Sequence, residues 1–164
     1  MQTIELRPLK LTDFNEVLLW SRDEAFCSAN EWPAYRDRDE LLKWWETCVN
    51  NKSEDFMRIG ITLDDRLIGY ADLACITERS AEFGIAIGDS TLWGQGIGFR
   101  AAKRLMDHAF EVLGIEQLSA ETHEHNVRSR GMLERLGFEE VSRLGAEEWA
   151  GKRGGMIEYR LNLQ

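Results

Sequence analysis

At 164 residues, with 43% hydrophobic content that includes seven Phe and six Trp, the chain is long enough for one cored domain over 1–164 and too short for a separate substrate domain. A formal charge of −9 argues against nucleic acid as a main partner and suits a cationic substrate such as an amine, although acidity alone also aids solubility. No apolar run reaches the roughly 18 to 20 residues of a membrane span, Met1 to Pro8 lacks a signal-peptide layout, and Cys27, Cys48 and Cys75 fit neither a zinc site nor a disulfide framework, so a cytoplasmic protein is expected, with no membrane partner.

Thr3 to Leu9 alternates as a first strand, and Thr12 is placed to cap a helix through Trp20. After a loop containing Asn30-Glu31-Trp32-Pro33, Asp37 or Asp39 caps a second helix from Glu40 to Val49, with Leu41, Leu42, Trp44, Trp45 and Cys48 as its apolar stripe. Phe56 to Leu63 and Arg66 to Ile76 read as a hairpin turning at Asp64-Asp65, and Ala81 to Ile87 as a third strand. A glycine loop then opens a long helix to about Leu113, followed by a strand over Leu118 to Glu124 and a short helix from Asn126 to Leu136 that ends at Gly137. Phe138 to Leu144 and Met156 to Asn162 supply two last strands around a loop over 145–155. The order β-α-α-β-β-β-α-β-α-β-β is an α/β chain of the α+β kind, with a mixed sheet carrying helices rather than a run of βαβ units. Strands at the C-terminal edge leave room for a homodimer.

The loop Gly94-Gln95-Gly96-Ile97-Gly98-Phe99-Arg100 is the most informative stretch. Glycines leading into a helix bring free N–H groups and the positive end of the helix dipole to one point, which is an anion site and suits a phosphate-bearing ligand. A Walker loop is excluded because Gly98 is followed by Phe99 and Arg100 rather than Lys and a hydroxyl residue. A dinucleotide fingerprint fits the letters G-x-G-x-x-A, with Glu121 about 20 residues on, and so an NAD(P)-dependent enzyme stays a remote alternative. Its context is wrong, since Gly88 to Trp93 separates the glycines from the preceding strand and no helix lies between the strands before it.

Three blocks, in order, resemble the GNAT N-acetyltransferase superfamily across nearly the whole chain. Trp93-Gly94-Gln95-Gly96-Ile97-Gly98 is similar to its acetyl-CoA loop, although Trp93 replaces the usual Arg or Gln. Arg79 to Ile85 resembles its central strand, and Asn126-Val127-Arg128-Ser129 with Leu133-Glu134-Arg135-Leu136-Gly137-Phe138 its second block. The RimJ/RimL-like branch is the nearest in pattern, with spermidine acetyltransferases also close. The resemblance implies a mostly antiparallel sheet split in a V, acetyl-CoA as cofactor, and transfer of the acetyl group to a primary amine by direct attack in a ternary complex. A non-catalytic acyl-CoA-binding or sensing module is the alternative.

Within that frame the N–H groups of Gln95, Gly96, Ile97, Gly98, Phe99 and Arg100 would hold the pyrophosphate, and Arg100, Lys103 and Arg104 would form a basic helix face toward the phosphates. Backbone groups of Phe83, Ile85 and Ile87 would pair with the pantetheine amides, and Asn126 would both cap its helix and bond the pantetheine arm. Glu82 is the candidate general base. Where the family often has a tyrosine acid this chain has Leu133, which leaves Ser129 as the nearest replacement; a thiolate of pKa about 8.5 is in any case a tolerable leaving group. Deprotonating a lysine-like or polyamine amine near pH 7.4 costs roughly 4 kcal/mol, against less than about 1 for an α-amine, so a protein N-terminus is the less demanding acceptor. Polyamines, aminoglycosides and other small amines stay open. His123 and His125 suggest a metal, but no third ligand is evident and none is expected; His123 is a minor candidate base. Glu31, Trp32 and Tyr35 are the expected acceptor contacts, with Glu147, Glu148 and Trp149 as alternatives on the opposite wall.

Overall fold

The computed structural model describes residues 2–163; Met1 and Gln164, the ends of the expected domain, lie outside the described residues. Strand β1 (Ile4–Arg7) leads through a 3-10 turn into helices α1 (Phe14–Trp20), α2 (Glu24–Asn30) and α3 (Arg38–Val49). Strands β2 (Met57–Leu63), β3 (Arg66–Ala74) and β4 (Ser80–Ile87) follow, then α4 (Ile97–Glu111), β5 (Gln117–His123), α5 (Val127–Leu136), β6 (Glu139–Trp149) and β7 (Lys152–Asn162). They form one seven-stranded sheet in the order β1-β2-β3-β4-β5-β7-β6. Every pairing is antiparallel except that of β4 with β5.

The sheet separates two cores. Ala81 and Phe83 of β4, with Leu118 and Ala120 of β5, bury themselves with Ala101, Ala102 and Leu105 of α4 and with Leu133 and Leu136 of α5. On the other side Tyr70 and Ala86 meet Val17, Trp20, Phe26, Leu41 and Trp45 of the first three helices. Gly88 lets this second core close, because a Cβ there would collide with the Trp20 indole. An Arg58–Asp72 pair crosses β2 and β3 with contacts of 2.7 and 2.8 Å, and the guanidinium lies 4.3 Å from the Tyr70 ring centroid. Its own burial pushes the Tyr70 phenol up to about 12.

Three local expectations need correction. Thr12 does not cap α1; it lies inside the 3-10 turn, and the neighbouring Asp13 carboxylate is held by Arg7 at 2.8 and 2.9 Å. The expected loop after Trp20 contains α2, whose seven residues are too few to show a helical period; Asp23 caps it by accepting from Phe26 N–H at 3.1 Å. The expected loop over 145–155 is the end of a hairpin in which Glu147, Glu148 and Trp149 pair with Gly154, Arg153 and Lys152. It reverses at Ala150-Gly151, both at positive φ (50° and 77°), the twist that suits a two-residue hairpin turn. Asp37, by contrast, caps α3 through Asp39 N–H and Glu40 N–H, as one of the two expected residues.

Candidate active site

The site is built on a failure of strand pairing. β4 and β5 are parallel and bonded only over Ser80↔Gln117, Ala81↔Leu118 and Glu82↔Ser119, after which the strands part. β4 continues to Ile87 bonded to β3 on its other side, so from Phe83 onward its inner edge faces an open V. Parallel strands must be joined by a crossover, and here the crossover is α4, whose N-terminus stands at the mouth of that V. Gly96, the residue before α4, has φ 78°, and Gly94 has φ 80°. A Cβ at either would meet nothing within 4 Å, so these glycines serve the turn and leave the approach to the helix end open.

Two cavities occupy the V. The one at the glycine loop, about 240 Å³, is lined by Ile85, Ile87, Gly96, Ile97, Gly98 and Phe99, together with Asn126 and Ser129. The first N–H groups of α4 have no partner within the helix, and Arg100 N–H is the first to be used, donating to Gly96 O at 3.1 Å. Of the expected N–H donors, that of Arg100 is thus committed inside the helix. Gln95 turns its amide to Thr91 O at 3.2 Å, and the Arg100 guanidinium donates to Gln2 O at 3.2 Å. Lys103 and Arg104 are exposed and line neither cavity. The positive charge that does reach this cavity is Arg128 and Arg135, both from α5. Arg128 lies 3.6 Å from the Trp93 ring centroid and Arg135 lies 4.2 Å from that of Phe99. Spacing alone could have flagged them, since positions seven apart share a helix face, but their ring partners belong to a different element.

The second cavity, about 420 Å³, is lined by Phe83 and Gly84 of β4, Glu121 and His123 of β5, and Glu147, Glu148 and Trp149 of the hairpin, with Glu31 across from them. Trp149 donates from Nε1 to Ala29 O at 2.9 Å and so ties the hairpin to the end of α2. Ile85, Asn126 and Ser129 line both cavities, which meet at these residues. Asn126 Oδ1 accepts from Ser129 N–H at 3.2 Å, so the cap that starts α5 also fixes the junction.

Of the expected acceptor contacts only Glu31 lines this cavity. Trp32 is packed edge-on between Phe26 and Trp44, with centroids 4.9 and 5.0 Å away, and belongs to the second core. Tyr35 is 63% exposed and lines neither cavity. Glu82, half-buried, faces a neighbouring hollow of about 320 Å³ with Cys75, Glu158 and Arg160, and Glu121 borders both that hollow and the larger cavity. Leu133 is buried in the cavity wall and offers no hydroxyl, while Ser129 does stand at the junction. The His123 ring accepts at Nδ1 from His125 N–H (3.1 Å), which places its proton on Nε2 for donation to Glu147 O (2.8 Å). With both nitrogens engaged it holds the hairpin in place.

Known proteins carry the same architecture. The chain is 28% identical over 138 residues to the spermidine N(1)-acetyltransferase of Escherichia coli K12, covering 83% of this chain and 73% of that one. It is 27% identical over 111 residues to an uncharacterised protein of Methanocaldococcus jannaschii, covering 68% of this chain and spanning 22% of that protein's length. Among solved structures, RimL, a ribosomal L7/L12 alpha-N-protein acetyltransferase in complex with coenzyme A, superposes with a TM-score of 0.85 at 19% identity, over 98% of this chain and 94% of that one. The acetyltransferase (GNAT) domain family matches residues 3–139. With its split sheet, its glycine loop at the head of α4 and this match over most of its length, the chain belongs to the GNAT family of N-acetyltransferases, whose acetyl donor is acetyl-CoA.

Proposed function

We propose that this protein acetylates a primary amine carrying more than one positive charge, a linear polyamine being the best fit. The observation that carries the reading is the sorting of charge between two cavities that share a wall. Among the described residues, the larger cavity is lined by Glu31, Glu121, Glu147 and Glu148 and by no Lys or Arg, whereas the smaller is lined by Arg128 and Arg135 and by no Asp or Glu. An anionic cofactor and a cationic acceptor are thereby directed to opposite arms of the V. The hydroxyl of Ser129, with Ile85 and Asn126, stands where the two would meet.

The residues fit the cofactor. The open glycine turn and the N-terminus of α4 suit phosphate, and the free edge of β4 suits an amide-bearing arm added as a further strand. Bound acetyl-CoA supplies an acetyl thioester. Glu147, Glu148 and Glu31 hold the distal ammonium of the acceptor at the cavity rim. Glu121, bordering both the cavity and the adjoining hollow, takes the proton that the reacting amine sheds, and Glu82 and Glu158 give the hollow a route to solvent. Ser129 holds a proton at the junction, in the place left by the absent tyrosine.

The test is free-thiol release from acetyl-CoA with spermidine, spermine, diaminopropane and short peptides bearing a free N-terminus. A polyamine is expected to exceed any neutral-side-chain peptide by at least about tenfold in kcat/KM. Turnover with peptides alone would replace the polyamine reading by N-terminal acetylation, and CoA binding without thiol release from any amine would replace it by a sensing module.

A further inference from the structure

The structure assigns a second element to cofactor binding: Arg128 and Arg135 of α5 form a guanidinium clamp for the phosphates of coenzyme A, shelved on aromatic rings at either end of the glycine loop. Trp93 ends the segment before the glycines and Phe99 follows the last of them, so the two rings bracket the turn. Arg128 and Arg135 are seven residues apart on one helix, which puts them on one face about 10 Å apart along the axis. That spacing matches the two shelves, and each guanidinium lies over its own ring, at 3.6 Å from the Trp93 centroid and 4.2 Å from the Phe99 centroid. The Trp93 shelf is itself fixed, because its Nε1 donates to Ile87 O at 3.0 Å.

Stacking a guanidinium on a ring occupies its face and leaves the N–H groups at its edge free to bind an oxyanion in the plane. Among the described residues neither arginine forms an ion pair, although the chain carries 29 acidic residues against 20 basic ones. These two instead line the cavity that holds the N–H groups of the α4 terminus, where no carboxylate competes for them. This arrangement also accounts for Trp93 at a position where the resembled loop usually carries Arg or Gln: the charge comes from α5 and the ring carries it.

The clamp is tested by calorimetric titration of CoA into the wild type and the Arg128→Ala, Arg135→Ala and Arg128→Lys variants at three salt concentrations, with Lys103→Ala as control. Each alanine variant is expected to raise Kd about tenfold at low salt, the size of one charge-assisted bond lost, and to flatten the salt dependence because one screened contact is gone. Arg128→Lys is expected to recover part of the affinity, and Lys103→Ala to match the wild type. A Kd within twofold of wild type in both alanine variants would overturn the clamp. A rise in Kd that is the same at every salt concentration would overturn it too, since that is the behaviour of lost shape rather than lost charge.

Discussion

Asn126 holds the start of α5 and borders both cavities, and a pair of substitutions separates these duties. In Asn126→Ala the Ser129 N–H loses its partner. The bond is 3.2 Å, at the long end of the useful range, which places the cost in the lower half of what caps contribute, about 0.5 to 1 kcal/mol. For a chain of this size that is a fall of roughly 1 to 4 °C in Tm. Asn126→Asp keeps an oxygen in the capping position and adds negative charge at a helix N-terminus, so its Tm is expected to stay at or slightly above that of the wild type. That same charge sits at the junction of the two cavities, where an anionic cofactor must pass. CoA affinity is therefore expected to fall more in Asn126→Asp than in Asn126→Ala, reversing the order of the two melting temperatures. Scanning calorimetry and CoA titration on the same samples give both orders. Parallel rankings, with the less stable variant also the weaker binder, would refute the assignment of two separable roles.

Glu121→Gln is expected to lower kcat about a hundredfold with the preferred polyamine, and Glu82→Gln less, because only Glu121 borders the acceptor cavity; steady-state thiol release checks it, and a larger loss from Glu82→Gln would move the base to β4. Glu124 accepts from Gly155 N–H at 2.6 Å, and this bond, helped by His125 and Arg143, holds its carboxyl below the usual carboxylate range. A folded-state pKa below the unfolded value gives stability that is complete above about pH 4.3 and is lost as the pH falls through the lower folded value. Melting temperatures of the wild type are therefore expected to drop more steeply below that pH than those of Glu124→Gln, and equal slopes would show that the carboxylate does not anchor the hairpin.

Much of the fold follows from local pattern. The hairpin turn at Asp64-Asp65, the apolar stripe of α3, Asp37 as a cap and the Gly137 stop all depend on residues within a turn or two of each other, and such information is written in sequence order. The elements that escaped are those whose reasons are not local. Helix α2 is too short to display a period and is held by burying Phe26 and Cys27 against Trp20 and Trp32. The hairpin end at Trp149 and Lys152 reads as a glycine-rich loop until its edge is tied by His123 to Glu147 O and by Trp149 to Ala29 O, across separations of 24 and 120 residues.

The site divides the same way. The sequence by itself determined the glycine turn, the helix that follows it, the Asn126 cap and the absence of a tyrosine at Leu133, because each is a matter of residue type at a fixed spacing. Only the tertiary structure decided which charges face which cavity. Arg100 and Arg128 are equally basic on paper. One turns to Gln2 O and the other lies on Trp93, and the difference is set by which helix face packs on the sheet. Trp32 and Trp149 are likewise both tryptophans beside glutamates, yet the first is consumed by the second core and the second walls the larger cavity. Side-chain direction at long range depends on packing between elements distant in sequence, and no local pattern encodes it.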